Sequence, residues 1–128
     1  MTIIDTKNHR ILIVDDDNNI RDLLGSTVEA FCPDASIDYA SSRFEAEQKL
    51  DINPYTHVLT DMTMEGQYSG IFVARFAKDK NPKTRVFLHT GSHDKSITNK
   101  LAAEPSIDRY ALKPNSTLEA ANFVYTEL

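Results

Sequence analysis

Short apolar or β-branched runs and helical apolar patterns alternate five times along this chain, which restricts its fold more than any other feature. Four runs read as buried strands, each bounded by polar or turn residues: Arg10 to Val14, His57 to Thr60, Val86 to His89 and Tyr110 to Leu112. A weaker fifth covers Ser36 to Tyr39. The clearest helical pattern places Ile20, Leu23, Leu24, Thr27, Val28 and Phe31 on one face, with Asp17 or Asn18 to cap its start and Pro33 to close it. Shorter patterns run through Phe44 to Leu50, Ile71 to Ala77, Ile97 to Ala103 and Leu118 to Leu128.

Strands that are apolar along their length and alternate with helices imply a parallel sheet covered on both faces, with right-handed crossovers. Five such units in 128 residues predict an α/β flavodoxin-like doubly wound (βα)5 fold with strand order 2-1-3-4-5. Residues 1–128 are expected to form one domain, since the length suits one core and shows no linker, repeat or low-complexity run. The composition, 41% hydrophobic and 26% charged, is that of a globular domain. A net charge of −5 argues against unaided binding to nucleic acid, whose affinity rests on Lys and Arg neutralising phosphates. A single cysteine, Cys32, fits a reducing compartment and a small buried hydrophobe. No run approaches the length of a membrane helix and the start lacks a secretory pattern, so a cytoplasmic protein is expected.

Doubly wound sheets bind ligands beyond the carboxyl ends of their strands, where the strand order reverses. The residues there are Asp15, Asp16 and Asp17 after the first strand, Asp61 after the third, Thr90 after the fourth and Lys113 after the fifth. Several carboxylates converging on one crevice repel each other and need a cation. Hard oxygen donors suit Mg²⁺, and Lys113 adds a fixed positive charge. A carboxylate screened by a metal ion and an ammonium can attack phosphorus, which makes Asp61 the candidate nucleophile. Asp17 reads chiefly as a helix cap. The i, i+4 pair His89 and His93 straddles a strand end and a loop, which argues against a zinc site there.

In order and spacing, ILIVDDD at 11–17, LTDMTM at 59–64, FLHTG at 87–91 and YALKP at 110–114 together resemble the receiver domains of two-component response regulators. The resemblance implies that Asp61 is the phosphoacceptor, taking a phosphoryl group from the phosphohistidine of a sensor histidine kinase or histidine phosphotransfer protein. It further implies that Asp16 ligates Mg²⁺ directly, Asp15 mostly through a metal-bound water, and Thr63 through its backbone carbonyl. Lys113 and Thr90 would contact phosphoryl oxygens, and Tyr110 would follow Thr90 inward as the switch aromatic. Such a domain is a regulatory phosphoacceptor, not a turnover enzyme, and passes its signal to a downstream effector domain or protein.

The sequence departs from the family pattern at three places. Met64-Glu65 stands where Met-Pro is usual, Gly70 lies one residue farther from Asp61, and Ser106 replaces a common glycine. Thr63 and Ser92 flank the phosphoryl site, and their small polar side chains predict dephosphorylation that is not unusually slow. The last helix carries Glu119 and Glu127 but no Lys or Arg, so ion-paired dimerisation through it is disfavoured and a monomer or weak dimer is expected, although Lys95 and Lys100 remain on the fourth helix. The exposed edge of the first helix is a candidate surface for a kinase helix bundle. Two other readings compete: a receiver-like scaffold that binds partners without phosphorylation, and an aspartate-nucleophile phosphatase. Thr63 disfavours the phosphatase, which usually carries a second Asp at that place. The chain is expected to be either a stand-alone receiver or part of a longer regulator.

Overall fold

The computed structural model describes residues 6–92, 94–113 and 116–126. His93, Pro114 and the Leu128 end of the last predicted helix lie outside them. Among the described residues the alternation is β1 (Arg10–Val14), α1 (Asn18–Phe31), β2 (Ser36–Ala40), α2 (Arg43–Ile52), β3 (His57–Asp61), α3 (Ser69–Lys80), β4 (Arg85–Thr90), α4 (Lys95–Ala103), β5 (Arg109–Leu112) and α5 (Ser116–Thr126). All pairings are parallel, in the order β2-β1-β3-β4-β5, so the predicted flavodoxin-like fold is the one adopted. No helix among the described residues is long and apolar enough to cross a membrane.

Side chains alternate across a strand, and here the two sets fill two separate layers. Ile11, Ile13, Leu59 and Phe87 pack with Leu24 and Val28 of α1 and with Ala120, Phe123 and Val124 of α5. Their neighbours Leu12, Val14, Val58 and Val86 pack on the opposite face with Ala46 and Leu50 of α2 and with Val73, Ala74 and Ala77 of α3. A smaller cluster of Met62, Ile71, Leu88, Ile97 and Leu101 seats α4. Cys32 is fully buried in the α1/α5 layer, where burial raises its thiol pKa, as suits a structural hydrophobe.

Asp17 caps α1, its Oδ1 accepting from the amides of Asn19 at 2.8 Å and Ile20 at 3.3 Å. Asp17→Ala is expected to lower the unfolding free energy by about 1 kcal/mol in a urea titration. The apolar stripe predicted on this helix is narrower in the fold. Leu24 and Val28 are buried, but Leu23 is 55% and Phe31 39% exposed. The reason is placement: α1 faces the sheet on one side and α5 on another, and Leu23 instead borders a surface pocket with Ile20, Lys113, Ser116 and Thr117.

Candidate functional site

Parity along the strands assembles the site. Ile13, Leu59, Phe87 and Ala111 all belong to the α1/α5 layer, and two residues farther along the chain from each stand Asp15, Asp61, His89 and Lys113. The parallel register aligns the first three of these positions, pairing Val14 with Thr60 and Asp61 with His89, and sets Ala111 opposite His89. The last rung of an apolar layer is thereby replaced by two carboxylates and an imidazole at the carboxyl edge of the sheet, and Lys113, two residues beyond Ala111, brings an ammonium to them.

Asp15 is fully buried and Asp61 nearly so. Lys113 Nζ lies 3.3 Å from Asp61 Oδ1 and 3.5 Å from Asp15 Oδ2. His89 Nε2 lies 2.8 Å from the same Asp15 oxygen, while Asp15 Oδ1 accepts from the Asp17 amide at 2.9 Å. Arg21 donates to the Asp15 carbonyl at 2.7 Å, which fixes the turn into α1.

The two carboxyls are shifted in opposite directions. Burial pushes Asp15 up, but the hydrogen bonds from His89 and the Asp17 amide and the charge of Lys113 outweigh it, leaving the pKa below its usual value. Burial and the Asp15 charge raise the pKa of Asp61, which Lys113 only partly offsets. Asp61 is therefore the more basic of the two carboxylates.

The other sequence-derived candidates are dispersed around this rung. Asp16 is exposed and stands outside the cluster of Asp15, Asp61 and His89. Parity accounts for this, since adjacent residues leaving a strand point to opposite faces. Thr63 is exposed, its hydroxyl donating to the Gln67 carbonyl at 3.3 Å. Thr90 is buried, and its Oγ1 accepts from the Ser92 amide at 3.1 Å. Tyr110 is half-buried against the cluster that seats α4.

The segment leaving Asp61 lacks proline but is organised by other means. Ser69 Oγ accepts from the Gly66 amide at 2.9 Å and donates to the Gly66 carbonyl at 2.8 Å. Glu65, in the usual proline position, accepts from the Arg43 amide at 3.0 Å, an anion at the N-terminus of α2. Ser106, which replaces a common glycine, donates its hydroxyl to Glu104, and Glu104 also pairs with Arg75 at 2.7 Å. The hydrogen bonds of Ser106 thus join the start of β5 to α3.

His89 is the member of the rung that sequence reasoning passed over. Its signal was parity: it lies two residues beyond Phe87 on β4, the same offset as Asp61 from Leu59. The apolar run around it reads as a buried strand whether or not its last inward residue is polar.

Residues 11–123 match the family described as Response regulator receiver domain. No curated protein sequence matches the chain. Among solved structures, a CheY-like receiver domain protein from Methanospirillum hungatei JF-1 superposes with a TM-score of 0.77 at 21% identity, covering 91% of this chain and 90% of that one. The chemotaxis response regulator CheY4 of Vibrio cholerae gives 0.74 at 17% identity, with coverages of 91% and 98%. A receiver domain protein from Clostridium thermocellum gives 0.72 at 26% identity, with coverages of 91% and 94%. A family match over most of the length, on a fold whose carboxyl edge gathers Asp15, Asp61 and Lys113, shows that this chain belongs to the response regulator receiver domains of two-component systems.

Proposed function

We propose that the chain is a regulatory phosphoacceptor in which Asp61 takes a phosphoryl group from the phosphohistidine of a sensor histidine kinase or a histidine phosphotransfer protein. The observation that carries this reading is the buried Asp61 carboxylate with the Lys113 ammonium 3.3 Å away; burial and the Asp15 charge raise its pKa. Higher basicity makes a carboxylate a better nucleophile, and the ammonium screens its charge against incoming phosphoryl oxygens. The Asp61 oxygen forms a bond to phosphorus as the donor's N–P bond breaks and the imidazole nitrogen keeps the electron pair.

Mg²⁺ fits the donor set, because two carboxylates face one ammonium and leave net negative charge in a nearly closed pocket. Asp15 and Asp61 would hold the ion, with Asp16 and the Thr63 backbone carbonyl as the further ligands the family resemblance implies. When bound, it supplies positive charge against the oxygens of the transferring group. Lys113 remains to bind the acyl phosphate. Thr90, at the end of β4, donates its hydroxyl to a phosphoryl oxygen, exchanging its contact with the Ser92 amide for a charge-assisted bond. Tyr110 then repacks against the α4 cluster, changing the face offered to a downstream effector.

This reading treats residues 1–128 as one cytoplasmic receiver unit, monomeric or weakly dimeric. The test is incubation with Mg²⁺ and acetyl phosphate followed by intact mass measurement. The native chain is expected to gain one phosphoryl group and Asp61→Asn none. Labelling that survives the substitution overturns the assignment of Asp61, and a native chain that stays unlabelled favours a scaffold that binds partners without phosphorylation.

A further inference from the structure

We propose that His89 is a direct ligand to the divalent cation of the acid pocket and shifts its preference from Mg²⁺ toward first-row divalent ions that accept nitrogen, with Mn²⁺ as the probe. The inference rests on the reading above, in which the pocket holds a divalent cation, and concerns which ion it selects.

A pocket of carboxylates, a backbone carbonyl and water offers only hard oxygen donors, the set to which Mg²⁺ is suited. This pocket differs in that an imidazole stands beside its two buried carboxylates. Asp15, Asp61 and His89 each place one ligand atom within 4.8 Å of the other two, and all three residues are buried. Bond lengths of about 2.1 Å put neighbouring donors on an octahedral ion about 3 Å apart and opposite donors about 4.2 Å apart. The 2.8 Å between Asp15 Oδ2 and His89 Nε2 is therefore already close to the spacing of two neighbouring ligands.

The surroundings of the ring leave it few other uses. His89 is fully buried, held between the sheet and the α1/α5 layer, and cannot swing out to solvent. Its Nδ1 has no hydrogen-bond partner among the described residues, so the polar contact the ring makes is the one directed into the pocket. As apolar filling alone the position would suit leucine, which carries no unsatisfied nitrogen; the ring instead presents Nε2 to Asp15. Ligation takes the bare Nε2, with the ring proton on Nδ1, and Asp15 Oδ2 exchanges its contact with His89 for one to the cation. Lys113, which reaches Asp15 and Asp61 from β5, remains as the second positive charge.

Mg²⁺ gains little from an imidazole and sheds water reluctantly, whereas first-row divalent ions gain progressively from nitrogen donors. Mn²⁺ combines acceptance of nitrogen with tolerance for an otherwise oxygen-rich octahedral site.

The experiment uses the full chain at pH 8. Free Mn²⁺ is titrated by electron paramagnetic resonance and bound Mn²⁺ is displaced with Mg²⁺. The Mn²⁺-loaded protein is then read for nitrogen-14 coupling by electron spin-echo modulation. The native chain is expected to show a coupled nitrogen, lost on displacement by Mg²⁺ and in Asp61→Asn. His89→Leu is expected to lose the coupling and to lower the Mn²⁺-to-Mg²⁺ affinity ratio at least tenfold. Absence of pocket-associated nitrogen coupling in the native chain overturns the inference whether or not the leucine variant folds, and so does an unchanged ratio in a folded His89→Leu. If both ions bind the native chain without coupling, only the role of His89 fails. If neither binds, the cation pocket itself fails with it.

Discussion

Gly70→Ala is expected to destabilise the protein by about 3 kcal/mol in urea unfolding and to slow phosphoryl labelling of Asp61. On propensity alone the sign would be opposite, because glycine in a helix is about 1 kcal/mol worse than alanine. Gly70 sits in the first turn of α3, packed on the chain where it leaves β3. A Cβ there would run into the Asp61 carbonyl oxygen and come within 2.9 Å of Met62 Cα. These are backbone atoms, unable to turn aside as a side chain would. The Gly70 amide also donates to the Met62 carbonyl at 2.9 Å, which holds helix and strand end together. Relief of the clash must shift either α3 or the Asp61 peptide. A Gly70→Ala chain as stable as the native one would show that the approach is not tight.

The second large effect is a pair of opposite signs at the acid pocket. Lys113→Met is expected to lower the stability of the cation-free chain by about 2 kcal/mol, because two buried carboxylates then face each other without the ammonium; a fully buried pair would cost more, but Lys113 is 24% exposed. Asp61→Asn is expected to raise stability at pH 7, by about 1 kcal/mol, since it removes the carboxylate whose ionisation the fold resists. A folded-state pKa above the unfolded one means that the native chain holds its proton more tightly, so the penalty grows as pH rises through and above the ordinary carboxylate range. The gain from Asp61→Asn should therefore be present at pH 7 and vanish near about pH 3, where native and unfolded chains are both protonated at this position. Asp15 behaves oppositely. Its lowered pKa contributes stability above the ordinary carboxylate range that is lost as pH falls through the folded-state value. Thermal melts across pH without added cation read both signs. Saturating Mg²⁺ should stabilise the native chain by about 2.7 kcal/mol at a hundredfold excess over its dissociation constant, and Asp61→Asn should forfeit most of that.

Much of this fold is legible in the sequence because parallel strands buried on both faces need no fine patterning to be recognised. The run from Arg10 to Val14 is β1 as read, and β3 and β4 each extend one residue farther, to Asp61 and Thr90, since pairing with a neighbour continues past the last apolar residue. What the sequence conceals is direction. Asp15 and Asp16 are equivalent as letters, yet one is fully buried and the other exposed. Leu23 and Leu24 differ similarly, because consecutive helix positions are turned about 100° apart and only Leu24 falls within the covered arc. The hydrogen bonds that replace the missing proline involve Ser69, Gly66, Glu65 and Arg43, and the last of these is distant in sequence. No local pattern reports such a contact.

Among the described residues the sheet ends on β2 at one flank and on β5 at the other. At the centre of β2 stands Asp38, whose carboxylate accepts from the Tyr55 hydroxyl at 2.7 Å and lies 3.8 Å from Arg10. A half-exposed charge on a border strand obstructs the addition of a foreign strand, which would strip water from the carboxylate. Asp38→Val is therefore expected to make the chain more prone to ordered aggregation, read by light scattering, while leaving the carboxyl edge of the sheet intact.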